Sequence, residues 1–180
     1  APVHALFQAM ERGISAPWTS SMGRLFDALS ALLGIRRVNS YEGQAAMELE
    51  WCAATNPGEL PAPYSIPLTE EPAGVAQLEP LVRGVLAHLD AGHAISEIAA
   101  RFISSLVDLG LRYCQRAGLP RVVLAGGCFQ NDLLTRALVP RLERAGFAVY
   151  LPAQVPLNDG GISAGQVAVA AAQTALGGGD

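Results

Sequence analysis

Two short stretches late in the chain carry residue types that could bind a phosphorylated ligand. One is Gly126-Gly127-Cys128-Phe129-Gln130-Asn131, and the other is Asn158-Asp159-Gly160-Gly161. Glycine backbone can present N–H groups to a phosphate without side-chain obstruction. A carboxylate such as Asp159 can hold a cation or accept hydrogen bonds. Neither stretch is one of the common nucleotide motifs, because the first lacks the third glycine of G-x-G-x-x-G and no Gly-Lys-Ser/Thr follows it. Taken singly, each also reads as an ordinary turn. Their setting makes them more than that. Val122-Val123-Leu124-Ala125 is a short apolar run of the kind that forms a buried strand, and it ends at the glycine pair. Leu133, Leu134, Ala137, Leu138, Leu142 and Ala145 then recur at helical spacing up to Gly146, a natural C-cap, and residues 147–151 form a second strand. A strand–helix–strand unit brings both stretches to the carboxyl ends of two parallel strands, which is the edge where open α/β sheets bind ligands. The two loops are therefore expected side by side.

Other residues that could do chemistry are thinly spread. Cys52, Cys114 and Cys128 form no C-x-x-C signature and read as reduced structural thiols. His88 and His93 are five positions apart across Gly92, a poor spacing for two ligands on one helix face. Asp27 lies among apolar residues one turn from Gly23, and spacing alone leaves open whether it faces solvent or a ligand.

Composition narrows the function class. The chain has 180 residues, 51% hydrophobic and only 16% charged, enough for a sizeable core and consistent with apolar surface meant for another domain. A net charge of -4 gives no basic footprint for nucleic acid or anionic membrane. No run reaches the roughly 20 apolar residues of a membrane span. Residues 1–15 lack the apolar core of a signal peptide, so a cytoplasmic location is expected.

In chain order, residues 1–13 read as an amphipathic helix that begins abruptly, as though cut from a longer polypeptide. Residues 15–21 are a polar connection, and Ser20 or Ser21 is expected to cap a helix over 22–33 that buries Leu25, Phe26, Leu29 and Leu32 or Leu33. A helix over 45–54 follows, with Glu48 and Glu50 expected on its exposed side. Residues 55–74, with Pro57, Pro61, Pro63, Pro67 and Pro72, are expected to cross the surface as a loop. Helices are then expected over 75–90 and 95–117, before Gly118-Leu119-Pro120 leads into the first strand. Two parallel strands need further strands beside them, and nothing in the first half supplies them.

Several long, ordered matches carry a family resemblance. Leu-Ala-Gly-Gly-Cys-Phe-Gln-Asn at 124–131, Pro-Leu-Asn-Asp-Gly-Gly-Ile-Ser-Ala-Gly-Gln at 156–166, Thr-Ser-Ser-Met-Gly-Arg-Leu-Phe-Asp-Ala at 19–28 and Tyr-Glu-Gly-Gln-Ala-Ala-Met-Glu-Leu-Glu at 41–50 are similar to the C-terminal end of the hydrogenase-maturation carbamoyltransferases, HypF. The likeness covers nearly the whole chain and is weakest over 57–92. It implies an α/β, actin-like (ASKHA, ribonuclease H-like) domain, rich in helix, with part of its sheet supplied from outside this chain. The whole of 1–180 would be the C-terminal portion of a carbamoyltransferase domain: 1–54 a helical nucleotide-contacting segment, 55–74 a Pro-rich loop, and 75–180 helices with the strand–helix–strand core.

The resemblance also implies a chemistry. Such enzymes use ATP and carbamoyl phosphate, via carbamoyl adenylate, to carbamoylate the C-terminal cysteine of a [NiFe]-hydrogenase maturation partner (HypE-like). In the wider family, which includes the tRNA threonylcarbamoyl transferases, Gly126, Gly127 and Asn131 match the turn that approaches the adenylate. Asp27 matches an aspartate that contacts ribose hydroxyls, and Gly43 a glycine of the next loop. Asp159 matches an aspartate that helps hold a divalent metal, zinc or iron, and it follows Asn131 by the expected 28 residues. The family's H-x-x-x-H pair has no counterpart among His4, His88 and His93, so the metal site is incomplete here and the remainder of the parent enzyme is expected to supply that half of the cleft. Arg24 favours the hydrogenase branch over the tRNA branch, which has glutamate there. Cys128 replaces a usual valine, and Ile103 a frequent histidine. The readings that compete with this one are a small-molecule O-carbamoyltransferase, a sugar kinase of the same superfold, and a non-catalytic nucleotide-binding or docking fragment.

Overall fold

The computed structural model describes residues 2–14, 17–71 and 74–177. Among these residues, seven α-helices and two short strands follow one another as α1 (Pro2–Glu11), α2 (Met22–Leu32), α3 (Gln44–Ala54), α4 (Glu79–Asp90), α5 (Ile95–Ala117), β1 (Arg121–Val123), α6 (Asp132–Arg144), β2 (Ala148–Tyr150) and α7 (Ile162–Gly177). Single 3₁₀ turns at Gly127–Gln130 and Asp159–Gly161 precede α6 and α7. Parts of three sequence expectations, at Ala1, at Ser15 and Ala16, and at Pro72 in the Pro-rich stretch, lie outside the described residues.

The core is built around α5. Its amphipathic pattern is so broad that Ile98, Phe102, Ile103 and Val107 are fully buried and Leu106 and Leu109 nearly so, which requires neighbours on more than one side. α3 and α6 both pack along it, and α2 packs on α3 and sends Phe26 onto Phe102, edge to face with ring centroids 5.1 Å apart. Gly110 faces Leu138 closely enough that a Cβ would lie 3.3 Å from both of its methyls, so a bare backbone lets α6 approach α5. At the end of α2, Leu32 is exposed and the C-cap residue Leu33 buried, and at its start Ser21 supplies the cap through Oγ to the Arg24 amide.

β1 and β2 are parallel, pairing Arg121 with Ala148, Val122 with Val149 and Val123 with Tyr150. Val122 and Val149 face the core, whereas Val123 and Tyr150 are exposed. A parallel strand pair is normally covered on both faces. Here one face and the outer edges are open among the described residues, and the apolar side chains of α1 and α7, including Phe7, Met10, Val167 and Val169, are exposed as well. Among the described residues no helix is long and apolar enough to cross a membrane.

Two expectations need correction. The helix over 75–90 starts only at Glu79, with Pro80 in its first turn, where a missing N–H costs nothing. Residues 75–77 are instead extended and pair with 67–69: Leu68 bridges Ala76 in antiparallel fashion, the Thr69 amide donates to the Val75 carbonyl, and the Gln77 amide donates to the Pro67 carbonyl. The Pro-rich stretch also does more than cross the surface, because Tyr64 and Ile66 are buried in the core. Prolines cannot satisfy a backbone by regular pairing, so α5 does it with side chains. Arg101 donates to the Ala62 carbonyl, Ser105 Oγ accepts from the Tyr64 amide at 2.8 Å, and Arg112 donates to the Ile66 carbonyl at 2.8 Å. Gly84 of α4 makes room, since a Cβ there would stand 2.6 Å from the Tyr64 ring.

Candidate functional site

Asp27 follows the buried Phe26 on α2, with its side chain 31% exposed. Its Oδ2 accepts from Arg24 Nη1 and its Oδ1 from Asn39 Nδ2, each at 3.3 Å. Asn39 in turn accepts the Ala45 amide at 3.1 Å, so one amide side chain ties the carboxylate to the first turn of α3. The loop carrying Asn39 is fixed from behind. Arg36 makes a two-pronged contact with Glu48, Gln44 donates to Glu48 at 2.9 Å, and Gln44 accepts the Ser40 amide at 2.7 Å. The Arg36 guanidinium holds the Glu48 carboxyl below its ordinary range, against an opposing effect of desolvation. Gly43, at φ +77, then turns the chain into α3 in a conformation other residues rarely adopt.

The opposite wall begins where β1 ends. Gly126 donates its amide to the Leu157 carbonyl at 2.7 Å, which joins the first glycine loop directly to the second. The 3₁₀ turn at Gly127–Gln130 delivers Asn131 to the N-cap of α6, where Oδ1 accepts the Leu134 amide at 2.7 Å. The amides of Gly127 and Cys128, at the start of that turn, have no acceptor among the described residues. Burial pushes the Cys128 thiol up, in keeping with an unreactive side chain. In the second loop, Asn158 Oδ1 accepts from Gly160 and its carbonyl from Gly161. Gly161 is required by contact, because a Cβ there would fall 2.5 Å from the Pro156 carbonyl oxygen. Asp159 is exposed at the tip.

These pieces meet. A cleft of about 1380 Å³ is lined by Asp27, Gly43, Gly127, Asn131 and Asp159 together. The two loops lie side by side, as expected from the strand–helix–strand spacing, and the early segment closes in from the other side. Gly126 is the joint between the loops, one residue behind the lining. Arg24, Asn39, Tyr41, Glu50 and Trp51 also line the cleft. Donors, acceptors and two exposed aromatic rings around an open space suit a ligand with hydroxyls, an anionic group and a flat ring.

Two expectations about α3 are overturned by this geometry. Glu48 is not a solvated helix residue but the ion partner of Arg36, and Glu50 accepts the Leu133 amide of α6 at 3.1 Å while lining the cleft. Both partners come from outside the helix, so its periodicity carries no trace of them. Asn39 likewise carries no signal in the sequence. Its two short reaches, to Asp27 and to Ala45, depend on how the loop folds back.

The residues do not make a complete metal site. Among the described residues no group of three or more His, Cys, Asp and Glu side chains could hold a metal ion. His88 and His93 are elsewhere, their rings tilted against each other with centroids 4.4 Å apart, with Nδ1 of one paired to Tyr64 and Nδ1 of the other to Glu97. Asp159 is the one expected ligand present.

Residues 1–166 match the family described as the carbamoyltransferase Kae1-like domain, second subdomain. The carbamoyltransferase HypF of Synechocystis sp. is 38% identical over 162 residues, covering 90% of this chain and 21% of that protein. That of Rhizobium leguminosarum is 39% identical over 160 residues, covering 86% and 20%. A solved full-length HypF, in a phosphate- and nucleotide-bound form, superposes with a TM-score of 0.87 at 36% identity, covering 96% of this chain and 23% of that one. The chain thus spans about a fifth of the length of these relatives. Its helix-rich fold with a small parallel sheet is a fragment of an actin-like fold, and the chain belongs to the Kae1-like carbamoyltransferase domain family, as its second subdomain.

Proposed function

We propose that this chain forms one half of the nucleotide site of a carbamoyltransferase that uses ATP and carbamoyl phosphate to carbamoylate the C-terminal cysteine of a [NiFe]-hydrogenase maturation partner (HypE-like). The observation that carries the reading is the convergence of Asp27, Gly43, Gly127, Asn131 and Asp159 on one cleft from two segments, 27–43 and 127–159, that are far apart in sequence. In this reading the Asp27 carboxylate, already oriented by Arg24 and Asn39, accepts the ribose hydroxyls with its remaining lone pairs. The free amides of Gly127 and Cys128 donate to the phosphoryl oxygens of carbamoyl adenylate. Asn131 contributes Nδ2, since Oδ1 is committed to the cap. Gly43 keeps the loop in front of the ribose free of side chain. The partner's thiolate attacks the carbamoyl carbon, and AMP leaves. Hydrogen bonds aimed at the phosphoryl group stabilise the charge on that leaving group.

Asp159 would contribute one carboxylate to a zinc or iron ion whose histidine ligands come from the remainder of the parent enzyme. Such an ion acts as a Lewis acid when bound. The rest of the parent also supplies the side of the site that this chain leaves open and the strands that complete the sheet.

The test is calorimetric titration of the full-length enzyme with ATP. Asp27→Asn is expected to weaken binding by about tenfold or more, in line with about 1.5–3 kcal/mol for hydrogen bonds to a charged group. Unchanged affinity would remove Asp27 and this cleft from the nucleotide site.

A further inference from the structure

We infer that Glu50 is a positioning residue, a strut that sets the distance between the two walls of the cleft. This rests on the nucleotide reading above. The walls come from different parts of the chain, α2, α3 and their loop on one side and the Gly127–Gln130 turn with α6 on the other. Among the hydrogen bonds of the described residues, only that from the Leu133 amide to Glu50 Oε1, at 3.1 Å, joins the segment 21–54 to the segment 121–161. It crosses 83 positions of sequence.

The chemistry of the contact favours this role. The first amides of a helix have no partner within it. In α6, Leu134 is served by Asn131 and Leu133 by Glu50, so two of those amides are already taken and are not offered to a ligand. The carboxylate is half-buried and stands at the positive end of α6, where negative charge is stabilised. Asp27 and Gly43 are on the Glu50 side of the strut, and Gly127 and Asn131 on the Leu133 side. A ligand that touches both walls therefore depends on its length, and one that touches a single wall does not.

Length and charge can be separated by substitution in the full-length enzyme. Glu50→Gln keeps the reach of the acceptor and loses the charge, whereas Glu50→Asp keeps the charge and withdraws the acceptor by one methylene. The KM for ATP and kcat are measured for both, beside Asp27→Asn. The strut predicts that Glu50→Asp raises KM about tenfold with kcat within about twofold, and that Glu50→Gln stays within about threefold of the parent in both. Either of two results overturns it: Glu50→Gln impaired while Glu50→Asp is normal, which makes the charge the active feature, or both variants unchanged. Thermal unfolding of the two variants is read alongside, and a loss of stability without the rise in KM for Glu50→Asp also overturns it. Asp27→Asn separates the two levels. An unchanged KM there sinks the nucleotide reading and the strut with it, while a raised KM there beside a flat Glu50 pair sinks only the strut.

Discussion

At Asp27 each carboxylate oxygen already accepts one hydrogen bond, from Arg24 and from Asn39, before any ligand is present. Preorganisation of this kind means that a bound ribose need not order the side chain itself. Asp159 is the contrasting case, an exposed carboxylate at a loop tip with no hydrogen-bond or ionic partner among the described residues. A carboxylate that the fold does not use is free for a ligand. Asp159→Ala in the full-length enzyme is therefore expected to leave the unfolding temperature within about 2 °C, as for a surface substitution worth under about 0.5 kcal/mol, and to reduce carbamoyl transfer by at least about a hundredfold. Parallel melting and activity measurements check both halves. Wild-type activity with unchanged metal content would take Asp159 out of the mechanism. The glycine pair, Asn131 and Asp159 were legible as a loop cluster because glycine, amide and acid after a strand are local signals, whereas Asp27 and Gly43 were marked only by the family resemblance. Asn39 and Glu50 were not legible, because what they do depends on partners brought near only by folding.

Among the elements, helix periodicity located α2, α3, α5 and α6 to within a residue or two at their ends, and it misjudged α4. Val75, Ala76 and Leu78 fit an apolar helical face as well as an extended arm, and the pairing with 67–69 that decides between them is not local. The Pro-rich strap was misread for the same reason, since the donors that hold it are on α5. Where strap, α4 and α5 meet, Tyr64 Oη pairs with His88 Nδ1 at 2.8 Å, His88 stacks on His93, His93 pairs with Glu97, and Arg101 bonds Glu97 and lies over the Tyr64 ring. Burial pushes the Tyr64 hydroxyl up to about 12. Desolvation first, then His93 and Arg101, hold His88 below its ordinary value, with Glu97 opposing. The unfolded chain thus takes up the His88 proton before the folded one does. Its contribution is full above the unfolded value and is lost as pH falls below it. Glu97 is lowered chiefly by its bond from His93 and then by Arg101, and its contribution is present above the ordinary carboxylate value and lost as pH falls through the folded one. Melting curves are expected to show a decline starting near about pH 6.5, a further one below about pH 4.5, and loss of the first step in His88→Gln. A flat profile across the upper window would show that the junction titrates alike in both states.

On the scale of the whole molecule, the exposed faces of β1 and β2 and the uncovered α1 and α7 point the same way. The apolar excess and low charge of the sequence anticipated that some surface belongs against other protein, and the relatives are about five times as long as this chain. What this chain holds is a cleft with two walls, one from residues 21–51 and one from residues 127–160. The measurement that bears most directly on this is hydrogen exchange of the full-length enzyme with and without ATP. Nucleotide bound in this cleft is expected to slow exchange together in peptides covering residues 23–43 and 126–131, on the two sides of the Glu50 contact. Protection confined to other parts of the enzyme, with both of these segments unchanged, would contradict the account.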